Sequence, residues 1–216
     1  MTVATLIVLL VVIAGAVWLV RQRSVTKARE LDDARADPRR WVERPGGQVL
    51  ALTGTAPASK QALADAAERY NAAGSQMDQA QSVAQARQVT ETAYEGLYYV
   101  RAARTTMGLG PGPELPPLPG QGQAGSVSED RTVDVEGHAY SASPNPSGQN
   151  RHYYPGGTVA GRPVPQGWYS EPWWRSALIG GAWGVGSALL FSSMFSGMSG
   201  VAYADGYADG LAADGG

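Results

Sequence analysis

The chain has no cysteine, which excludes disulfides, thiolate nucleophiles and zinc–thiolate sites. Histidine is nearly as scarce. His138 and His152 are the only two in 216 residues, and neither has the neighbours that a metal site or a serine triad requires. Basic charge is thin as well: Lys27 and Lys60 are the only lysines among 17 basic residues, against 19 acidic ones, and the net charge is −2. A general nucleic-acid binder would carry a basic patch, so nucleic acid is not an expected partner. No catalytic, cofactor-binding or metal-binding residue emerges from this inventory, no small-molecule substrate is indicated, and an enzyme is the least expected class.

What the chain does contain is unevenly distributed. Val3–Val20, VATLIVLLVVIAGAVWLV, runs 18 residues without a charge. As a helix it extends roughly 27 Å, close to the ~30 Å hydrocarbon core of a bilayer. Arg21 and Arg23 follow at once, which puts the next segment on the cytoplasmic side by the positive-inside rule. The expectation is an N-terminal transmembrane anchor over 1–23. A cleaved signal peptide is the alternative, suggested by Ala14-Gly15-Ala16 but lacking a basic n-region.

Residues 24–107 read as a helical bundle domain. Leu63, Ala66, Ala67, Tyr70, Ala73 and Met77 fall at three- and four-residue spacing, as do Val83, Ala86, Val89, Ala93, Leu97 and Val100. Ser82 and Gln85 fit a capping box between the two helices. With a membrane-proximal helix before them, they make a helical hairpin or small three-helix bundle. Tyr94, Tyr98 and Tyr99 cluster with Arg101 and Arg104. They either form a ligand or partner surface or close the edge of an alanine-rich core, and the second is the expectation.

Residues 108–175 read as a Pro/Gly-rich linker. Prolines at 111, 113, 116, 117 and 119 favour polyproline II and twice match P-x-x-P. RTVDVEGHAYSA alternates like a short strand or hairpin around Glu136-Gly137. The linker ends in Trp168, Tyr169, Trp173, Trp174 and Arg175, placed as an aromatic belt at a membrane interface. The alternative is a small aromatic cluster folding the linker onto the helices.

Residues 176–204 carry no charge and read as a second transmembrane helix. Gly180, Gly184, Ala188, Ser192, Ser196 and Gly200 recur every fourth residue, a small-residue seam that lets helix backbones approach closely. Such a seam implies a second copy in a homo-oligomer, the first span, or another membrane protein as partner. Residues 205–216 form an acidic, glycine-rich tail repeating Tyr-Ala-Asp-Gly, without the spacing of a calcium loop. The fold expected is mainly α. The location expected is the cell membrane, with two spans in the bilayer and 21–175 cytoplasmic.

RQRSVTKARELDDARAD, TETAYEGLYYVRAAR, PGPELPPLPG, YYPGGTVAGRPVP, GWYSEPWW and GSALLFSSMFSGM cover most of the chain. In these stretches it resembles a family of small actinobacterial membrane proteins carrying a domain of unknown function, a label shared with helical repeats of bacterial surface proteins. The resemblance implies membrane attachment and brings no site residues. The function expected is a non-enzymatic scaffold or adaptor acting through helix–helix and protein–protein contacts. An envelope-exposed helical surface protein is the first alternative, and an oligomeric membrane-remodelling or pore-forming protein the second.

Overall fold

The structure is a computed structural model that describes residues 51–184 and 186–201 and, nearer the N-terminus, residues 15, 18, 19, 21, 22, 25, 26 and 29–36. Helix α1 (Pro57–Gln79) starts on a proline, whose fixed φ and missing N–H suit a first helical turn. Helix α2 (Val83–Thr106) starts at Ser82, whose hydroxyl accepts from the Gln85 N–H at 3.2 Å, while the Gln85 carboxamide accepts from the Gln81 N–H at 2.7 Å. The two form a hairpin packed through small residues. Ala62, Ala66 and Ala73 are wholly buried on α1, as are Ala86, Val89 and Ala93 on α2. A Cβ added at Gly96 would lie 3.2 Å from the Arg69 Cβ, so the helices approach too closely there for a larger side chain. Residues 29–36 are helical, and Arg35 donates to the Ala80 carbonyl at the hairpin's tip.

The region expected to be a linker is a folded β unit. Strands β1 (Arg131–Val135), β2 (His138–Ser143), β3 (His152–Tyr154) and β6 (Gly167–Tyr169) form an antiparallel sheet in the order β1-β2-β6-β3. β4 (Gly157–Val159) and β5 (Arg162–Val164) make a separate hairpin. The β1–β2 turn is the Glu136-Gly137 pair read from the sequence. Both residues have positive φ, 57° and 80°, as a two-residue turn matching the twist of antiparallel strands requires.

Adjacent aromatics on β6 and the edge strand β3 point to opposite faces. Tyr153 and Trp168, cross-strand partners with ring centroids 5.1 Å apart, join the helical hairpin in one core with Tyr99, Val100 and Ala103. Tyr154 and Tyr169 face the other way into a second core, closed by the short helices α4 (Arg175–Gly180) and α5 (Ser187–Phe195). The result is three layers, helix–sheet–helix, with period-two alternation deciding which aromatic joins which core.

This overturns the mainly α, two-span arrangement. Among the described residues no helix is long and apolar enough to cross a membrane. Of the expected first span only 15, 18 and 19 are described; residues 1–14 lie outside the described residues, as does Arg23, while Arg21 is exposed. The expected second span is broken at Gly181 and Gly186, whose φ values of +68° and +86° fall in the left-handed region that ends a helix. Two helices of 6 and 9 residues remain, and they lie on the sheet. With no spanning helix in the described residues, neither the multi-pass localisation nor the cytoplasmic placing of 21–175 has support.

The seam is inverted. Gly180, Gly184, Ala188, Ser192, Ser196 and Gly200 are all exposed, while Leu190, Phe191, Met194, Phe195 and Met198 point inward. Large apolar side chains gain most from leaving water, about 25 cal/mol per Å2, so they take the buried face once a sheet is present to cover them. The supposed belt is interior for the same reason: Trp168, Tyr169 and Trp174 are at most 5% exposed. Tyr169 packs against Trp174 with centroids 4.9 Å apart and against Trp173 at 5.7 Å. Trp168 packs against the α1–α2 hairpin, whereas Tyr169, Trp173 and Trp174 pack with the residues of α4 and α5.

Candidate functional site

The proline-rich segment does not hang free; it is strapped along α2. Arg104 Nε donates to the Gly110 carbonyl at 2.7 Å, Arg101 donates to the Pro113 carbonyl, and the Tyr98 hydroxyl donates to the Pro116 carbonyl at 3.1 Å. Residues 98, 101 and 104 share a helix face. Residues 110, 113 and 116 recur with the three-residue period of polyproline II, whose carbonyls have no internal partners. The strap is pinned at its end by Gln121 at the start of α3 (Gln121–Ala124). Gln121 Oε1 accepts from the Leu118 N–H at 3.1 Å and lies 3.1 Å from the Tyr98 hydroxyl, while its Nε2 donates to the Pro155 carbonyl at 2.6 Å.

Beside the strap a groove of about 520 Å3 opens between the C-terminal half of α2, the Pro144–Pro146 loop after β2, and β6. Its wall combines Tyr98, Tyr153 and Trp168 with the amides of Asn145, Gln121 and Gln166. Gln166 Nε2 donates to the Tyr153 hydroxyl at 2.9 Å. Burial pushes the Tyr153 phenol up to about 12, a rise opposed by that hydrogen bond and by the Arg101 charge. The group is therefore a neutral hydrogen-bonding hydroxyl across the physiological range. Arg101 is the only charged side chain in the wall, and no acidic side chain among the described residues forms an ion pair with it. A guanidinium facing a polar groove without a counter-ion favours an anionic ligand group, which it can hold with two parallel hydrogen bonds.

Below the groove, at the edge strand β3, lies a network of opposite charges. Arg175, at the start of α4, reaches across to α1, pairing with Glu68 and lying 3.6 Å from Asp65. Arg69 of α1 lies 3.6 Å from Glu95 of α2. The space left between them is about 10 Å3, room for one water at most. Burial pushes the Asp65 carboxyl up to about 6, against a hydrogen bond from Gln61 and the attraction of Arg175. Burial likewise raises Glu95, with Arg69 pulling it back. The Arg175 pairs join outer layers that the sheet otherwise separates, the Arg69–Glu95 pair ties α1 to α2, and the network leaves little open space for a ligand.

No family model, no curated protein and no solved structure matches the chain.

Of the residues singled out in the sequence, Tyr99 belongs to the core, as expected, but Tyr98 and Arg101 face the strap and the groove. Arg175 is half-buried in the charge network and serves no interface belt. His138 is exposed and paired with Glu171 at 2.8 Å. His152 lies on β3, and burial lowers its pKa, with Arg151 and Arg175 adding to the shift. Asn145, Gln121 and Gln166 carried no sequence signal, since a bend, the start of a four-residue helix and an isolated β-bridge are placed by the tertiary fold. The one available clue was the arginine–tyrosine cluster at 98–104, next in sequence to a segment rich in unpaired carbonyls.

Proposed function

We propose that the protein is a non-enzymatic adaptor whose groove between α2, the strap and β6 binds an extended, acidic peptide segment. The observation carrying this reading is Arg101. It is the one charge in a wall of aromatic rings, prolines and neutral amides, with no described acidic partner. The neighbouring surface supports it: the same helix face already holds an extended chain through side-chain donors to backbone carbonyls. Extended-peptide recognition uses that combination of carbonyl-directed donors, aromatic contact and one specifying charge.

Fluorescence anisotropy with labelled ten-residue peptides tests it. Acidic peptides are expected to bind the full chain at least tenfold more tightly than basic ones of matched length, with the preference falling as salt rises. Arg101→Glu is expected to reverse the order. Equal binding of acidic, neutral and basic peptides, unchanged by that substitution, would end the proposal.

A further inference from the structure

A second cavity, of about 310 Å3, opens between the β1–β2 turn and the bend that separates α4 from α5, and it shares no lining residue with the peptide groove. Its wall holds two carboxylates, Glu136 and Glu171, and three aromatic rings, Tyr140, Trp173 and Trp183. No lysine, arginine or histidine is among its lining residues.

Local structure puts these groups in place. Glu136 holds the first position of the β1–β2 turn, and its carboxylate reaches the start of α5, where a Cβ added at Gly186 would lie 3.6 Å from Glu136 Oε1. Glu171 pairs with His138 at 2.8 Å, whereas Glu136 forms no hydrogen bond or ion pair among the described residues. The Trp183 ring is fixed by its Nε1, which donates to the Val159 carbonyl at 3.1 Å, and its centroid lies 5.9 Å from that of Trp173. Tyr140 makes a ring contact with His138 and with neither tryptophan, so the cavity lies between them.

Carboxylates beside aromatic rings favour a cation with apolar substituents. A metal ion needs several ligands, and among the described residues no group of three His, Cys, Asp or Glu side chains stands close enough to hold one. Electron-rich ring faces instead attract an alkylated ammonium group, whose methyls also gain from contact with the rings. Trp183 already accepts a cation in this way: Arg162, outside the lining residues, sits 5.7 Å over its ring. The volume falls at the lower end of small-molecule pockets, roughly 300–1,000 Å3, which suits a small ion better than a chain segment. We propose that this cavity binds a small quaternary ammonium compound, its charge balanced by Glu136 and Glu171 and its methyl groups set against Tyr140, Trp173 and Trp183. The proposal is independent of the peptide groove.

NMR titration of the isotope-labelled full chain with choline and with 3,3-dimethylbutanol, its uncharged isostere, tests it. At matched ionic strength choline is expected to bind saturably in the millimolar range. It should bind at least tenfold more tightly than the isostere, with amide shifts centred on Glu136, Tyr140, Glu171 and Trp183. Glu136→Asn relieves a positive φ and so should fold at least as well as the parent; it is expected to weaken choline at least fivefold and leave the isostere unchanged. Tyr140→Leu should weaken choline similarly, and Tyr140→Phe should retain it. Equal affinity for choline and the isostere, shifts centred elsewhere, or choline binding unchanged by Glu136→Asn overturns the proposal. So does a failure to saturate below about 50 mM.

Discussion

Asp65 places a carboxyl on α1 between Arg175, Arg69, Glu68 and Glu95, where water is largely excluded. Its pKa rises from 3.8 to about 6 because burial disfavours the charged form more than the two arginines favour it. The folded state then holds the proton more tightly than the unfolded chain. The stability linked to this group is complete below pH 3.8 and is lost as pH rises through about 6. At ~1.4 kcal/mol per unit the loss is on the order of 3 kcal/mol. Asp65→Asn should match the parent in urea unfolding at pH 4 and be more stable by about 2–3 kcal/mol at pH 8. An equal loss of stability at both pH values would show that the carboxylate stabilises the network after all. Tyr98 offers a second test at this scale. Tyr98→Phe removes the hydroxyl bonded to Pro116 and Gln121, and should lower stability by about 1 kcal/mol while hydrogen exchange quickens selectively near the strap.

At the level of elements, the β1–β2 hairpin is closed by a turn that holds Glu136 at φ 57°. A glutamate resists that conformation more than asparagine does. Glu136→Asn should therefore raise stability by about 0.5 kcal/mol, measurable as a small upward shift in melting temperature. The strap depends on a match between two elements that the sequence sets side by side without relating them. The sequence clusters Tyr98 with Arg101 and Arg104 on one helix, and proline content predicts an extended chain over 111–119. That the second lies against the first, carbonyls to donors, required both in three dimensions.

For the whole molecule the decisive test is which face of α5 matters. Phe195 and Phe191 are buried in the core between the sheet and the C-terminal helices, whereas Ser192 and Ala188 are exposed. Phe195→Ala should cost about 3–5 kcal/mol, and Ser192→Lys should stay within about 0.5 kcal/mol of the parent. A packed small-residue seam would give the opposite order. Layering also explains why Arg175, read in sequence as a flanking charge, couples α4 to α1: antiparallel sheets often leave one face to water, but here helices lie against both faces.

The sequence by itself determined the local features. These are the hairpin of α1 and α2 with its Ser82 cap, the two-residue turn at Glu136-Gly137, and the alanine positions that meet between the helices, all set by interactions a few residues apart. It left undecided whether 176–204 is one helix or two, and what its aromatics touch. An apolar run with glycines has the same composition in either case; only a sheet within reach gives Phe191, Met194 and Phe195 a surface to bury against while Gly181 and Gly186 break the helix. The groove is likewise a product of tertiary structure. Its wall gathers residues from α2, the strap, α3 and the strands, and no single stretch of sequence contains enough of them to announce it.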